Sequence, residues 1–212
     1  MQNYKLCLLD FDGTLFDTLE SLYPVFINSF KEVGIKIEEK DCLELTRIRL
    51  SEGFYRFGGT QDKIEKYYGA IEKYLNSYET VEATKIYKDT ISFINKAKEL
   101  GMTLGIVTSN NTLHVKEVLN KFNISSDAFS IYVGNKETKK HKPFPDPILK
   151  ALEMYNKPIK LDEAVYIGDA LADVECAKNA GIIPILLDRY NEYSNSDVII
   201  IKSLDDFLIF KV

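Results

Sequence analysis

The chain has no tryptophan, three cysteines, two histidines and six prolines in 212 residues. Cys7, Cys42 and Cys176 are odd in number, far apart and form no Cys-x-x-Cys pair. That excludes a disulfide framework and a cysteine zinc site, and a reducing cytoplasm is the expected setting. Cys7 sits inside an apolar run and reads as a small core residue. No apolar run reaches the roughly 18–20 residues that a membrane-spanning helix needs. The start, Met1-Gln2-Asn3-Tyr4-Lys5, leads into a short apolar strand without the pattern of a signal peptide. An excess of basic charge is also missing: 27 Lys+Arg stand against 32 Asp+Glu, a formal net charge of −5. This mild acidity argues against binding the phosphate backbone of nucleic acid. Repeats and low-complexity tracts are absent. What remains, 45% hydrophobic and 28% charged residues, is the make-up of a globular chain with a sizeable core.

Short apolar runs recur along the chain: Leu6–Leu9, Leu104–Val107, Ile131–Val133, Ala164–Ile167, Ile183–Leu187 and Val198–Ile201. Such runs suit strands buried on both faces of a parallel sheet. Helical patterns fall between them. Thr90–Leu100 is followed by Gly101, and Leu171–Ala180 by Gly181. Thr112–Phe122 carries Val115, Val118 and Leu119, while Pro147–Tyr155 has Asp146 as its expected N-cap. Alternation of strand and helix predicts an α/β fold with a three-layer, doubly wound parallel sheet.

Residues 18–83 read differently. Leu19, Leu22, Phe26, Phe30 and Val33 recur at helical spacing up to Gly34. A second pattern runs from Ile64 to Tyr78 behind Thr60, with shorter helices expected at Lys40–Thr46 and Glu52–Phe57. An all-helical insertion after the first strand is predicted, its aromatic stripe serving as core. Residues 1–17 and 84–212 then make the α/β core domain, with hinges expected at Asp17–Thr18 and Ala83–Lys85.

Four elements carry chemistry. The first is Asp10-Phe11-Asp12-Gly13-Thr14, two carboxylates at a strand end with a glycine that permits a tight turn. In open α/β sheets ligands bind at the carboxyl ends of strands. A second strand ends in Gly168-Asp169, with Asp173 four residues on, in the first turn of the next helix. Converging carboxylates repel and are costly to desolvate, and a hard cation such as Mg²⁺ removes that penalty. Asp10 and Asp169 are the expected direct ligands. Asp173 is a ligand or an outer acceptor, and Asp12 contributes its backbone carbonyl. The third element, Thr108-Ser109-Asn110, offers a hydroxyl and backbone N–H groups to a phosphate oxygen, or else caps the following helix. In the fourth, Lys142-Pro143-Phe144-Pro145, prolines are expected to hold an extended path and fix a lysine as a point charge. Lys136, Lys139, Lys140 and His141 read as surface.

The order Asp-x-Asp-Gly-Thr, Thr, Lys, Gly-Asp-x-x-x-Asp resembles the haloacid dehalogenase superfamily, in its phosphoglycolate-phosphatase-like branch with a helical cap. The resemblance covers the core domain, and the insertion is similar in place and length to the family's cap. It implies a Mg²⁺-dependent phosphatase acting on a small phosphorylated metabolite: a phosphoglycolate-like acid, a sugar phosphate or a nucleotide. It further implies Asp10 as nucleophile, Asp12 as acid and base, Thr108 and Lys142 as phosphoryl contacts, and Asp169 with Asp173 for the metal. Substrate contacts are expected from Thr108, Ser109, Asn110 and Lys142. A cytoplasmic monomer or weak homodimer without nucleic-acid or membrane partners is expected.

Asp12 counts against the dehalogenases of the superfamily, which lack this second carboxylate. Leu22 stands about where the phosphomutase branch usually has a histidine, which weakens the mutase alternative. A non-catalytic receiver-type module is the third reading, and the length of the chain and the Gly-Asp-x-x-x-Asp element fit it poorly. In the insertion, Arg47, Arg49 and Arg56 offer forked contacts to a second anionic group.

Overall fold

The computed structural model describes residues 4–46, 48–193 and 197–211. The chain divides into two compact units, Met1–Phe16 with Ile86–Val212, and Asp17–Lys85.

The strands are β1 (Leu6–Leu9), β2 (Phe16–Asp17), β3 (Lys85–Ile86), β4 (Thr103–Val107), β5 (Ile131–Val133), β6 (Ala164–Gly168), β7 (Ile183–Leu187) and β8 (Ile199–Ile201). The second unit carries α1 (Leu19–Glu32), α2 (Glu39–Leu45), α3 (Leu50–Arg56), α4 (Ile64–Leu75) and α5 (Tyr78–Ala83). The first carries α6 (Thr90–Glu99), α7 (Thr112–Lys121), α8 (Asp146–Tyr155), α9 (Leu171–Ala180) and α10 (Leu204–Lys211).

Six strands form one parallel sheet in the order β5-β4-β1-β6-β7-β8. The central strand β1 pairs Leu6–Leu9 with Thr103–Ile106 on one side and with Ala164–Ile167 on the other. All four of its residues are fully buried, as a strand covered on both faces requires. Burying each leucine there is worth about 1.5–3 kcal/mol. Leu6, Leu8, Val107, Val133, Ile148, Tyr166 and Ala177 share one core under α8 and α9. Phe207 of α10 packs against Phe93 of α6 and Tyr4, with ring centroids 6.1 and 5.6 Å apart. The result is a sheet between two helical layers, the α/β class expected from the sequence.

Two local expectations are corrected. Asp146 is the first residue of α8 and Pro145 takes the cap position, because Pro147 suits the first turn, where its missing N–H has no partner to lose. The long pattern to Tyr78 breaks after Leu75, because the Ser77 hydroxyl accepts from the Thr80 N–H at 3.3 Å and starts α5.

Within the helical unit, the rings of Phe54 and Tyr67 stack 4.6 Å apart and Phe30 lies 5.0 Å from Tyr67. All three are buried among Val25, Phe26, Leu45 and Ile71. The aromatic stripe is therefore core. Gly34 ends α1 in the left-handed region at φ +80°. Among the described residues no helix is long and apolar enough to cross a membrane.

Candidate active site

Chain order sends β4 and β5 to one side of β1 and β6 to β8 to the other. The carboxyl end of β1 is therefore the point where the winding reverses, the usual ligand crevice of an open α/β sheet. Leu9 is paired with both Ile106 and Ile167, so Asp10 leaves the sheet between the ends of β4 and β6. Its N–H extends the ladder by donating to the Ile167 carbonyl at 2.9 Å.

Two glycines let the acids crowd together. Gly13 has φ +74°, and a Cβ placed on it would lie 2.2 Å from Asp169 Oδ2. A Cβ on Gly168 would lie 2.4 Å from the carboxylate of Asp173. Consequently Asp10, Asp169 and Asp173 each offer an oxygen within 4.8 Å of the others.

Lys142 comes to this cluster from the loop after β5. Its Nζ lies 2.9 Å from Asp10 Oδ1 and 2.6 Å from Asp173 Oδ1, and its side chain is 9% exposed. The expected extended path is instead a turn: the Phe144 N–H donates to the His141 carbonyl at 2.9 Å, and the Lys142–Pro143 bond is cis.

The three carboxylates are used differently. Asp173 Oδ1 accepts from Lys142 and faces the Tyr166 hydroxyl at 3.1 Å, while its Oδ2 accepts from the Ala170 N–H at 3.0 Å. Both of its oxygens are thus taken by protein donors. The Tyr166 proton also faces the Val107 carbonyl at 2.7 Å, which ties β6 to β4 at the site. Asp169 Oδ1 accepts from the Thr14 hydroxyl at 3.3 Å. Asp10 Oδ1 is in ion-pair contact with Lys142, but the approach lies off the hydrogen-bond direction, so this buried oxygen has no hydrogen bond.

Electrostatics agree with this picture. Burial pushes the Asp10 carboxyl well above its ordinary range; Lys142 draws it down, and Asp173, Asp169 and Asp12 push it up again. Burial, then the Asp173 charge, raise Asp169 to about 7. Burial opposes the charge on Lys142, yet Asp10 and Asp173 outweigh it and its pKa is raised. The three clustered acids outnumber the one lysine among them. The orphaned Asp10 oxygen and this all-oxygen donor set fit a hard divalent cation.

Asp12 stands beside this group, and its carboxylate accepts from the Asn110 side-chain amide at 3.3 Å. The Thr108 hydroxyl oxygen accepts from the Asn110 N–H at 3.0 Å, which leaves its own proton to donate. That use of the Asn110 N–H withdraws one of the expected phosphate donors, and its side chain takes up Asp12 instead. Asn111, rather than Thr108, caps α7 by accepting from the His114 N–H at 2.8 Å. Ser109 is exposed at the rim, and Lys136, Lys139, Lys140 and His141 are exposed in their loop. In the helical unit, Arg56 pairs with Glu44 at 2.7 Å and Arg49 is exposed, whereas Arg47 lies outside the described residues.

Sequence reasoning missed Tyr166, Thr14 and the Asn110 side chain. Tyr166 was hidden by its place in an apolar strand. Thr14 and Asn110 stand inside the sequence motifs, but nothing local marks what their side chains bind, because the partners are 155 and 98 residues away.

This strand order, with an acid pair, a threonine, a lysine and a second acid pair at the carboxyl end of the sheet, is the arrangement that the resemblance to the haloacid dehalogenase superfamily implies. Residues 7–187 match the family model described as haloacid dehalogenase-like hydrolase, and the chain belongs to that family. It is a hydrolase acting on phosphate esters, as the resemblance implied. A Caldanaerobacter subterraneus subsp. tengcongensis protein with the provisional name pyrophosphatase PpaX is 33% identical over 180 residues, 82% of this chain and 77% of that one. The phosphoglycolate phosphatase of Aquifex aeolicus is 28% identical over 187 residues, covering 84% and 81% of the two chains. Among solved structures, the haloacid dehalogenase-like protein SP0104 of Streptococcus pneumoniae superposes with a TM-score of 0.81 over 99% of this chain and 100% of that one, at 20% identity.

Proposed function

We propose that the protein is a Mg²⁺-dependent phosphatase that hydrolyses a small phosphorylated metabolite through an aspartyl-phosphate on Asp10. The observation that carries this reading is the meeting of Asp10, Asp169 and Asp173 around Lys142 at the point where the sheet winding reverses.

In the first displacement an Asp10 oxygen bonds to phosphorus as the bond to the leaving oxygen breaks. Asp12 gives that oxygen a proton, a contribution of roughly 10²–10⁴-fold for a well-placed acid. In the second, water loses a proton to Asp12 and attacks the same phosphorus, which releases phosphate and frees Asp10. Lys142 balances the charge on Asp10 and the transferring group, and the Thr108 hydroxyl donates to a phosphoryl oxygen. Asn110 holds Asp12 in place. Asp10 and Asp169 keep acceptor capacity for Mg²⁺, joined by the Asp12 carbonyl, while Asp173 orients Lys142. The cation, when bound, neutralises charge on the phosphoryl oxygens. The helical unit Asp17–Lys85 serves as the cap that excludes water during the reaction, and the enzyme works in the cytoplasm as a monomer or weak homodimer.

Phosphoglycolate-like acids, sugar phosphates and nucleotides are the substrate classes. Pyrophosphate is a second reading, favoured by the pyrophosphatase PpaX name of a Halalkalibacterium halodurans relative that is 26% identical over 176 residues. A phosphate-release screen over these four classes with Mg²⁺ tests both, with Asp10→Asn as control. The expected result is release from at least one class and none by the variant. Equal turnover by Asp10→Asn removes the nucleophile assignment, and isomerised sugar phosphate without free phosphate would favour a mutase.

A further inference from the structure

Arg189 lies just beyond β7 and plays no part in the chemistry above. Its side chain is 11% exposed and that of Asp89 is 2% exposed. The guanidinium grips Asp89 with two bonds of 2.9 and 3.1 Å. The nitrogen that makes the longer of them also donates to the Thr14 carbonyl at 2.8 Å. Asp89 is pinned in turn, because its Oδ2 accepts from the Leu204 N–H at 2.8 Å. The guanidinium plane also sits over the Tyr87 ring, 3.9 Å from its centroid. Arg189 therefore ties one carbonyl of the turn that follows Asp12 to Asp89, and through Asp89 to the start of α10.

That turn rests on Asp169. The Thr14 hydroxyl donates to Asp169 Oδ1, and Gly13 comes so close that a Cβ would sit 2.2 Å from Oδ2. A forked, planar cation can hold a carboxylate and a carbonyl together, whereas a lysine ammonium cannot match this geometry. We infer that Arg189, anchored by Asp89, is a positioning residue that seats Thr14 against Asp169 and thereby sets the affinity of the site for its divalent cation. The inference rests on the reading of Asp169 as a cation ligand.

Direct Mn²⁺ binding by the full chain, followed by electron paramagnetic resonance, tests it on Arg189→Lys, Thr14→Val, their double variant and Asp169→Asn. Loss of a partner that orients a metal ligand weakens metal binding by about 10–100-fold. Arg189→Lys and Thr14→Val are each expected to weaken Mn²⁺ binding by about tenfold or more, on the scale of such partners. The double variant should be no weaker than Thr14→Val, because both act through one link. If Arg189→Lys binds Mn²⁺ like the wild type while Asp169→Asn does not, the positioning role is refuted and the cation reading stands; a lowered melting temperature would not rescue it. If Asp169→Asn binds normally, both fall. Should Arg189→Lys not fold, Thr14→Val decides, and unchanged binding there also overturns the inference.

Discussion

Replacing Lys142 with methionine removes a positive charge and keeps most of the apolar stem. In the native site that charge faces Asp10 at 2.9 Å and Asp173 at 2.6 Å, and those two side chains are 8% and 1% exposed. Breaking a buried ion pair by removing one partner costs about 3–5 kcal/mol, because a charge is left unpaired. A domain is stable by about 5–15 kcal/mol, so this is a large fraction. For a chain of this size each kcal/mol moves the melting temperature by about 2–4 °C, and a fall of about 6–20 °C is expected. The fall depends on pH. Without lysine the ionised carboxylates become more costly, so the loss is greatest near pH 8. It shrinks at pH 5.5, because acid favours the neutral form of Asp10, already raised by burial and now without the lysine that draws it down. Calorimetric melts of both proteins in a chelator at the two pH values make the comparison. A shift under about 2 °C at pH 8, against the scale above, or one equal at both pH values, would refute the account of Lys142 as the counter-charge of a buried acid cluster.

The other expectations concern the same cluster. Asp169, raised to about 7, keeps a proton in the folded protein that the unfolded chain loses near its ordinary value of 3.8. Chelator-treated wild type should therefore lose stability as pH rises between those values, and Mg²⁺ at pH 8 should restore it; a melting temperature that climbs through this window, or ignores Mg²⁺, contradicts the raised value. Gly13→Ala forces a methyl onto the Asp169 carboxylate at a positive φ, and isothermal titration should show Mg²⁺ binding lost or weakened at least about tenfold. Tyr166→Phe leaves the Val107 carbonyl without that donor, so a loss of about 1–3 kcal/mol is expected in urea unfolding.

The alternation of apolar runs and helical patterns was enough to establish the α/β class, because strands covered on both faces must be apolar throughout. Asp10, Thr108, Lys142 and Asp169 were likewise legible as small polar or charged residues at the ends of such runs or among prolines, places where side chains reach a crevice. The helical insertion showed itself by its 3.6-residue period. The contacts that each acid makes came only with the tertiary structure. Asp173 has the same chemistry as Asp169, but Lys142 and the Ala170 N–H take both of its oxygens. The Asn110 grip on Asp12 and the Arg189–Asp89 hold on Thr14 join residues about a hundred or more positions apart. Periodicity and local spacing report the environment of a residue within a few neighbours, whereas hydrogen-bond direction depends on where strand register and winding bring distant segments.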